Sequence, residues 1–263
     1  MIYREQRIRN ALLRTYVLSN YEDIDVNRRR AMIIICPGGA YRYCSEREAE
    51  SVAIRFNSIG YNALVLYYTV NPEEKGIIYP KPQEDLAETV KWVRNNAHDL
   101  NTDPGKIAVL GFSAGGHLAA SLGVFWPEYG KESRPDALVL CYPVISSGPK
   151  GHHGSIRNLT GDEEGLVKKM SLEMHVTKDT PPTFIWTTRE DQSVPFENSV
   201  MFSEALSRCG VKNELVVFRT GAHGLSLGTG EVANGKHPDE NTEIQDWPER
   251  ADRFLISVFG SRF

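Results

Sequence analysis

Six short runs of apolar and β-branched residues constrain this 263-residue chain more than any other feature. They are Met32 to Cys36, Ala63 to Tyr67, Ile107 to Gly111, Ala137 to Cys141, Thr183 to Thr187 and Glu214 to Phe218, and none has an interior charge. Such runs read as strands covered on both faces, and they alternate with segments whose apolar residues recur at helical spacing. The alternation predicts an α/β fold with a mainly parallel central sheet flanked by helices on both faces.

Between the first two runs, Ser45-Glu46-Arg47-Glu48 has the spacing of a capping box. Ala49, Val52, Ala53 and Phe56 follow on one helical face, and Gly60 ends the helix. Pro82 introduces a second helix carrying Leu86, Ala87, Val90 and Val93. A third carries Met201, Phe202, Ala205, Leu206 and Cys209 before Gly210, and a last one Ala251, Phe254, Leu255 and Val258 after Pro248. The chain up to Tyr21 fits an antiparallel edge strand or hairpin. Residues 145–180 and 221–247 exceed ordinary connections and read as insertions of the lid or binding-loop kind. With no repeat or linker between two cores, the expectation is a single domain over residues 1–263.

Composition narrows the partners. Thirty Lys and Arg against 34 Asp and Glu give a net charge of −4, with no basic surplus for nucleic acid or an anionic membrane. No stretch has 18 consecutive apolar residues, and the N-terminus lacks an apolar run of signal-peptide length. A cytoplasmic location and no membrane partner are expected, while a homo-oligomer is left open. Cys36, Cys44, Cys141 and Cys209 are too irregularly spaced for a disulfide framework or a CxxC metal site, so reduced thiols are expected.

The motif richest in chemistry is Gly111-Phe112-Ser113-Ala114-Gly115, a GxSxG placed where the strand KIAVLG meets the helix AGGHLAASLGVF. A serine on that turn lies above the strand's C-terminal edge, beside the free amides of a helix N-terminus. Small flanking residues permit its strained backbone, and Gly111 and Gly115 supply the room. His117 lies in the same helix and cannot readily reach the serine oxygen, so it reads as a packed, hydrogen-bonded histidine.

A neutral serine needs a base, normally a histidine oriented by a carboxylate. At such a turn the acid and then the base come from loops after later strands. TFIWTT is followed by Glu190 and Asp191, and ELVVFRT by Gly221-Ala222-His223-Gly224. Asp191, ahead of Glu190 and Asp179, is the candidate acid. His223 is the candidate base over His98, His152, His153, His175 and His237, because it alone closely follows a late strand.

The segments Pro37-Gly38-Gly39-Ala40-Tyr41, DPGKIAVLGFSAGGHLA, DQSVP and GAHGLSLG together resemble the α/β-hydrolase superfamily from about residue 30 to the C-terminus. The narrower likeness is to the lipase/esterase group of hormone-sensitive lipase and acetyl-xylan-esterase-like sugar esterases. That resemblance implies an α/β-hydrolase fold and an oxyanion hole formed by the amides of Gly39, Ala40 and Ala114. Pro37 stands where the family usually has histidine, and Ala40 where it has its last glycine.

The implied reaction is hydrolysis of short acyl esters through an acyl-enzyme on Ser113, with a small-molecule ester substrate such as an acetylated xylo-oligosaccharide. No metal or organic cofactor is called for, since HExxH, a phosphate loop and a placed dinucleotide fingerprint are missing. Tyr41, Tyr43, Tyr142 and Trp186 are candidate flat faces for a sugar ring, with core packing as the alternative. An arylformamidase-like amidase uses the same site, a peptidase fits less well, and a noncatalytic binding protein on this fold is the reading from another class.

Overall fold

Eight strands form one sheet in the computed structural model, which describes residues 1–234 and 243–263. They are β1 (Ile2–Ile8), β2 (Ala11–Val17), β3 (Arg30–Cys36), β4 (Asn62–Tyr67), β5 (Thr102–Phe112), β6 (Ala137–Cys141), β7 (Thr183–Thr188) and β8 (Asn213–Phe218). Their order across the sheet is β1-β2-β4-β3-β5-β6-β7-β8. The N-terminal hairpin pairs antiparallel with itself and, through β2, with β4. Every later pairing is parallel.

Alternation along β3 sorts its side chains into two cores. Met32 and Ile34 pack with Leu86 and Val90 of α2 (Lys81–Asn95), Leu118 and Leu122 of α3 (Ala114–Tyr129), and Phe202 and Leu206 of α6 (Glu197–Arg208). Ile33 and Ile35 pack on the other face with Val52 and Phe56 of α1 (Glu50–Ser58), and Phe254 and Leu255 of α7 (Trp247–Phe259). Each such side chain is worth roughly 1.5–3 kcal/mol when fully buried. That double cover is why the six apolar runs carry no interior charge.

One expectation needs correction and a second gains detail. The Ser45 side chain caps no helix: Glu46–Glu48 is a single 3₁₀ turn, and α1 begins at Glu50. In a capping box Glu48 would take the Ser45 amide, but that amide donates to the Gly38 carbonyl at 2.9 Å and Glu48 is buried elsewhere. Residues 145–180, expected as a long lid or binding loop, form an insertion with secondary structure of its own: α4 (His153–Thr160), α5 (Glu164–Lys169) and a 3₁₀ turn at Leu172–Met174. Ile156, Leu159, Met170 and Leu172 tie them into the core. Of the 221–247 stretch, Leu225, Leu227 and Val232 are likewise buried, while residues 235–242, including the rival base His237, lie outside the described residues.

Candidate active site

Ser113 occupies the turn between β5 and α3 with φ 53° and ψ −116°, a conformation that L-residues avoid at a cost of about 1–3 kcal/mol. Its neighbours make the turn sterically possible. A Cβ on Gly111 would overlap the Gly115 carbonyl, one on Gly115 would overlap the carbonyls of Cys36 and Pro37, and one on Gly116 would lie 2.8 Å from the Pro143 Cβ. The backbone is pinned on both sides: the Ser113 amide donates to the Cys141 carbonyl at 3.0 Å, and its carbonyl accepts from His117 and Val144.

Loops at the ends of β7 and β8 bring Asp191 and His223 to this serine. His223 Nδ1 lies 2.6 Å from Asp191 Oδ2, and its Nε2 lies 2.8 Å from Ser113 Oγ. The other Asp191 oxygen accepts the Ser193 and Val194 amides, each at 2.9 Å. An accepting carboxylate leaves the imidazole proton on Nδ1 and the lone pair of Nε2 toward the hydroxyl. The Asp191 side chain is inaccessible to solvent and that of His223 is 20% exposed.

Most of the rival residues are occupied elsewhere, though His152 lines the same cavity as Ser113. Glu190 accepts the Gly221 amide and so braces the His223 loop, and Asp179 pairs with Lys178 on the surface. His98 is exposed beside Asp99, and His175 packs on Phe125. His117 is buried, accepting the Tyr41 hydroxyl at Nδ1 (2.9 Å) and donating from Nε2 to the Met170 carbonyl (3.2 Å). Burial pushes its pKa down to about 4, so it is neutral at pH 7.

Among the described residues, the segment after β3 leaves the amides of Gly39, Ala40 and Tyr41 over, of which the first two belong to residues lining the cavity. Its carbonyls are all engaged: Pro37 by the Tyr68 hydroxyl, Gly38 by Ser45, Gly39 by Arg42, Ala40 by Asn158 and Tyr41 by Asn71. The Gly38 amide donates to Glu48 at 2.7 Å, which removes it from any oxyanion role. The amides of Gly39 and Ala40 have no partner among the described residues, and both residues line the same cavity as Ser113. Gly39 has φ 128°, and a Cβ there would overlap the Tyr43 carbonyl. Ala40 takes φ 55° in its glycine-like place. The Ala114 amide opens α3, where the first amides have no helical acceptor.

That cavity, about 770 Å³, is rimmed by polar groups, among them Arg42, Glu46, Arg47, His152 and Ser193. Of the aromatic residues expected to face a sugar, only Tyr43 is exposed and lines it. Tyr41 is buried against Tyr68 and His117, and Trp186 is buried and stacked on Trp247. Tyr142 is buried with its hydroxyl on Glu48 and its ring edge-on to His223.

Two residues near the site were read otherwise in the sequence, Glu48 as a capping-box partner and His152 only as a rival base. Glu48 has burial as its legible trace, because it falls four and eight residues before Val52 and Phe56 on the inward stripe of the following helix. His152 caps α4, its Nδ1 accepting the Ser155 amide at 3.2 Å. No group of three or more His, Cys, Asp or Glu able to hold a metal ion occurs among the described residues. None of their helices is long and apolar enough to cross a membrane.

Strand order, serine turn and the Ser113–His223–Asp191 hydrogen-bond chain define an α/β hydrolase. The family model BD-FAE matches residues 21–130. Endo-1,4-β-xylanase B of Butyrivibrio fibrisolvens is 39% identical over 219 residues, covering 79% of this chain and 34% of the xylanase. An acetylxylan esterase of Xylanibacter ruminicola is 30% identical, covering 75% of this chain and 41% of the esterase. The chain thus matches well under half the length of these two relatives. The solved acetyl ester-xyloside bifunctional hydrolase of Caldicellulosiruptor lactoaceticus superposes with a TM-score of 0.83 at 35% identity, covering 97% of this chain and 90% of that one. The chain belongs to the α/β-hydrolase esterase family.

Proposed function

We propose that this protein is a serine carboxylesterase that removes short acyl groups, acetyl above all, from a carbohydrate alcohol. His223 takes the Ser113 proton as the serine oxygen attacks the ester carbonyl, and Asp191 stabilises the imidazolium. The amides of Gly39, Ala40 and Ala114 receive the developing oxyanion, each donor being worth about 10²–10³ in turnover. The imidazolium then protonates the departing alcohol and leaves an acyl-serine. His223 next removes a proton from water, whose oxygen attacks the acyl carbonyl, and the serine is regenerated with release of the acid.

The observation carrying this reading is the 2.8 Å contact between His223 Nε2 and Ser113 Oγ beneath an open cavity with polar side chains at its rim. Arg42, Glu46, Arg47 and His152 at that rim offer hydrogen-bond partners for a polyhydroxylated leaving group. His152 supports the same substrate class: with Nδ1 occupied by Ser155, its neutral ring carries the proton on Nε2 as a donor for a sugar hydroxyl. The acetylxylan esterase and acetyl ester-xyloside hydrolase relatives point to the same class.

A panel of aryl esters from acetyl to octanoyl, acetylated xylo-oligosaccharides and formyl anilides tests the proposal. Acetyl esters should turn over fastest, and Ser113→Ala should abolish labelling by a serine-reactive phosphonate. Faster turnover of formyl anilides would establish the amidase instead. Labelling without turnover of any ester would leave a binding protein.

A further inference from the structure

Both oxygens of the buried Glu48 carboxyl face hydrogen-bond donors. Oε2 accepts the Gly38 amide at 2.7 Å, immediately before the free amides of Gly39 and Ala40. Oε1 accepts the Tyr142 hydroxyl at 2.6 Å. That hydroxyl itself accepts the Ser226 amide at 2.9 Å, so its own proton is committed to Glu48. Ser226 sits on the loop that carries His223, and its Oγ donates to the Arg47 carbonyl at 2.6 Å. The Tyr142 ring stands edge-on to the His223 imidazole with centroids 5.0 Å apart.

On the esterase reading above, on which this inference rests, we propose that Glu48 is a positioning residue. Its carboxylate clamps the segment bearing the Gly39 and Ala40 amides to the loop bearing His223, so oxyanion donors and base keep a fixed separation through both tetrahedral steps. Only a side chain that accepts at two oxygens satisfies both donors; a carboxamide must turn its NH₂ toward one of them. Burial of the carboxyl is costly in itself, and it pushes the pKa up while Tyr142, Gly38 and the neighbouring His223 pull the other way. For packing alone an apolar residue of similar volume serves as well or better. The clamp acts on geometry to which rate is steep, since a displacement of about 1 Å in a reacting group can cost about 10²-fold.

The test uses E48Q and Y142F. E48Q keeps the volume and sets donor against donor; Y142F keeps the ring against His223 and deletes the hydroxyl that joins Glu48 to Ser226. With aryl acetate, kcat should fall roughly 10- to 100-fold in E48Q and about 10-fold in Y142F, with KM within about threefold of wild type. The double variant should lose less than the product of the two, because both break one connection. Folded signal at the assay temperature is checked by circular dichroism, and if E48Q does not fold, Y142F alone decides. Wild-type kcat in Y142F, or a loss carried by KM, overturns the clamp. Wild-type protein inert to aryl acetate and to the phosphonate overturns the esterase reading and this inference with it, whereas active wild type with unaltered variants overturns this inference alone.

Discussion

His223 Nε2 and Ser113 Oγ lie 2.8 Å apart although 110 positions separate them in the chain. The contact closes because β5 and β8 end at the same edge of the sheet, while Thr188 Oγ1 donates to the Gly221 carbonyl and ties the acid loop to the base loop. Each prediction below follows from how that edge is built.

Asp191→Asn keeps an oxygen for the Ser193 and Val194 amides but turns an NH₂ toward His223 Nδ1. The imidazole proton is then driven to Nε2, facing Ser113 with a donor where an acceptor is required. Turnover of aryl acetate should drop by about 10⁴, the size of loss known for this change in a serine protease. Retention of more than a tenth of wild-type kcat would contradict the assigned tautomer.

Gly39→Ala places a Cβ on the Tyr43 carbonyl at φ 128°, so the segment has to rotate its amides away from the cavity. We expect kcat to fall by about 10², as for loss of one oxyanion donor. Unchanged kcat in steady-state assays would mean that these amides do not meet the oxyanion.

Gly115→Ala tests the turn rather than the chemistry. Its Cβ would overlap the Cys36 and Pro37 carbonyls at the end of β3, where main chain cannot give way cheaply. Destabilisation of about 1–3 kcal/mol or more is expected, read as a lowered denaturant midpoint. A midpoint equal to wild type would show that β3 and α3 approach less closely.

His152→Ala should separate substrates. Loss of one hydrogen bond, about 0.5–1.5 kcal/mol, lowers kcat/KM for an acetylated sugar roughly 3- to 10-fold. Aryl acetate, having no hydroxyl to receive the bond, should be unaffected. Equal losses on both would remove His152 from sugar recognition.

His117 makes stability depend on pH. Its folded-state pKa of about 4 lies below the ordinary 6.5, so on acidification the unfolded chain takes up this proton first. The stability owed to a neutral His117 is therefore complete above about pH 6.5 and is lost as pH falls through about 4, on the order of 3 kcal/mol in all. Thermal melts of His117→Gln should be flatter across that window than those of wild type. An identical slope would mean that other groups govern acid unfolding.

How legible the molecule was varied with the range of the interaction involved. Strand cores such as Met32 to Cys36 and Ala137 to Cys141 announce themselves because double burial excludes charge locally. The serine turn is legible because its steric demands fall on Gly111 and Gly115, beside the residue they serve. Glu48 was not: a Ser-x-x-Glu spacing is a local signal, and it lost to two distant donors, Gly38 and Tyr142. The same holds for Tyr41, Tyr142 and Trp186, whose side chains look alike in sequence whether they face a cavity or the core. α4 and α5 escaped notice because helices of eight and six residues offer too few turns for a periodic stripe.

The neighbouring ends of β3, β5, β6, β7 and β8 carry, in turn, the Gly39–Ala40 segment, Ser113, Tyr142, Asp191 and His223. Tyr43 and His152 line the cavity without joining the Ser113–His223–Asp191 chain, so on the proposed esterase reading exchanging their side chains retunes which alcohol departs and leaves that chain intact.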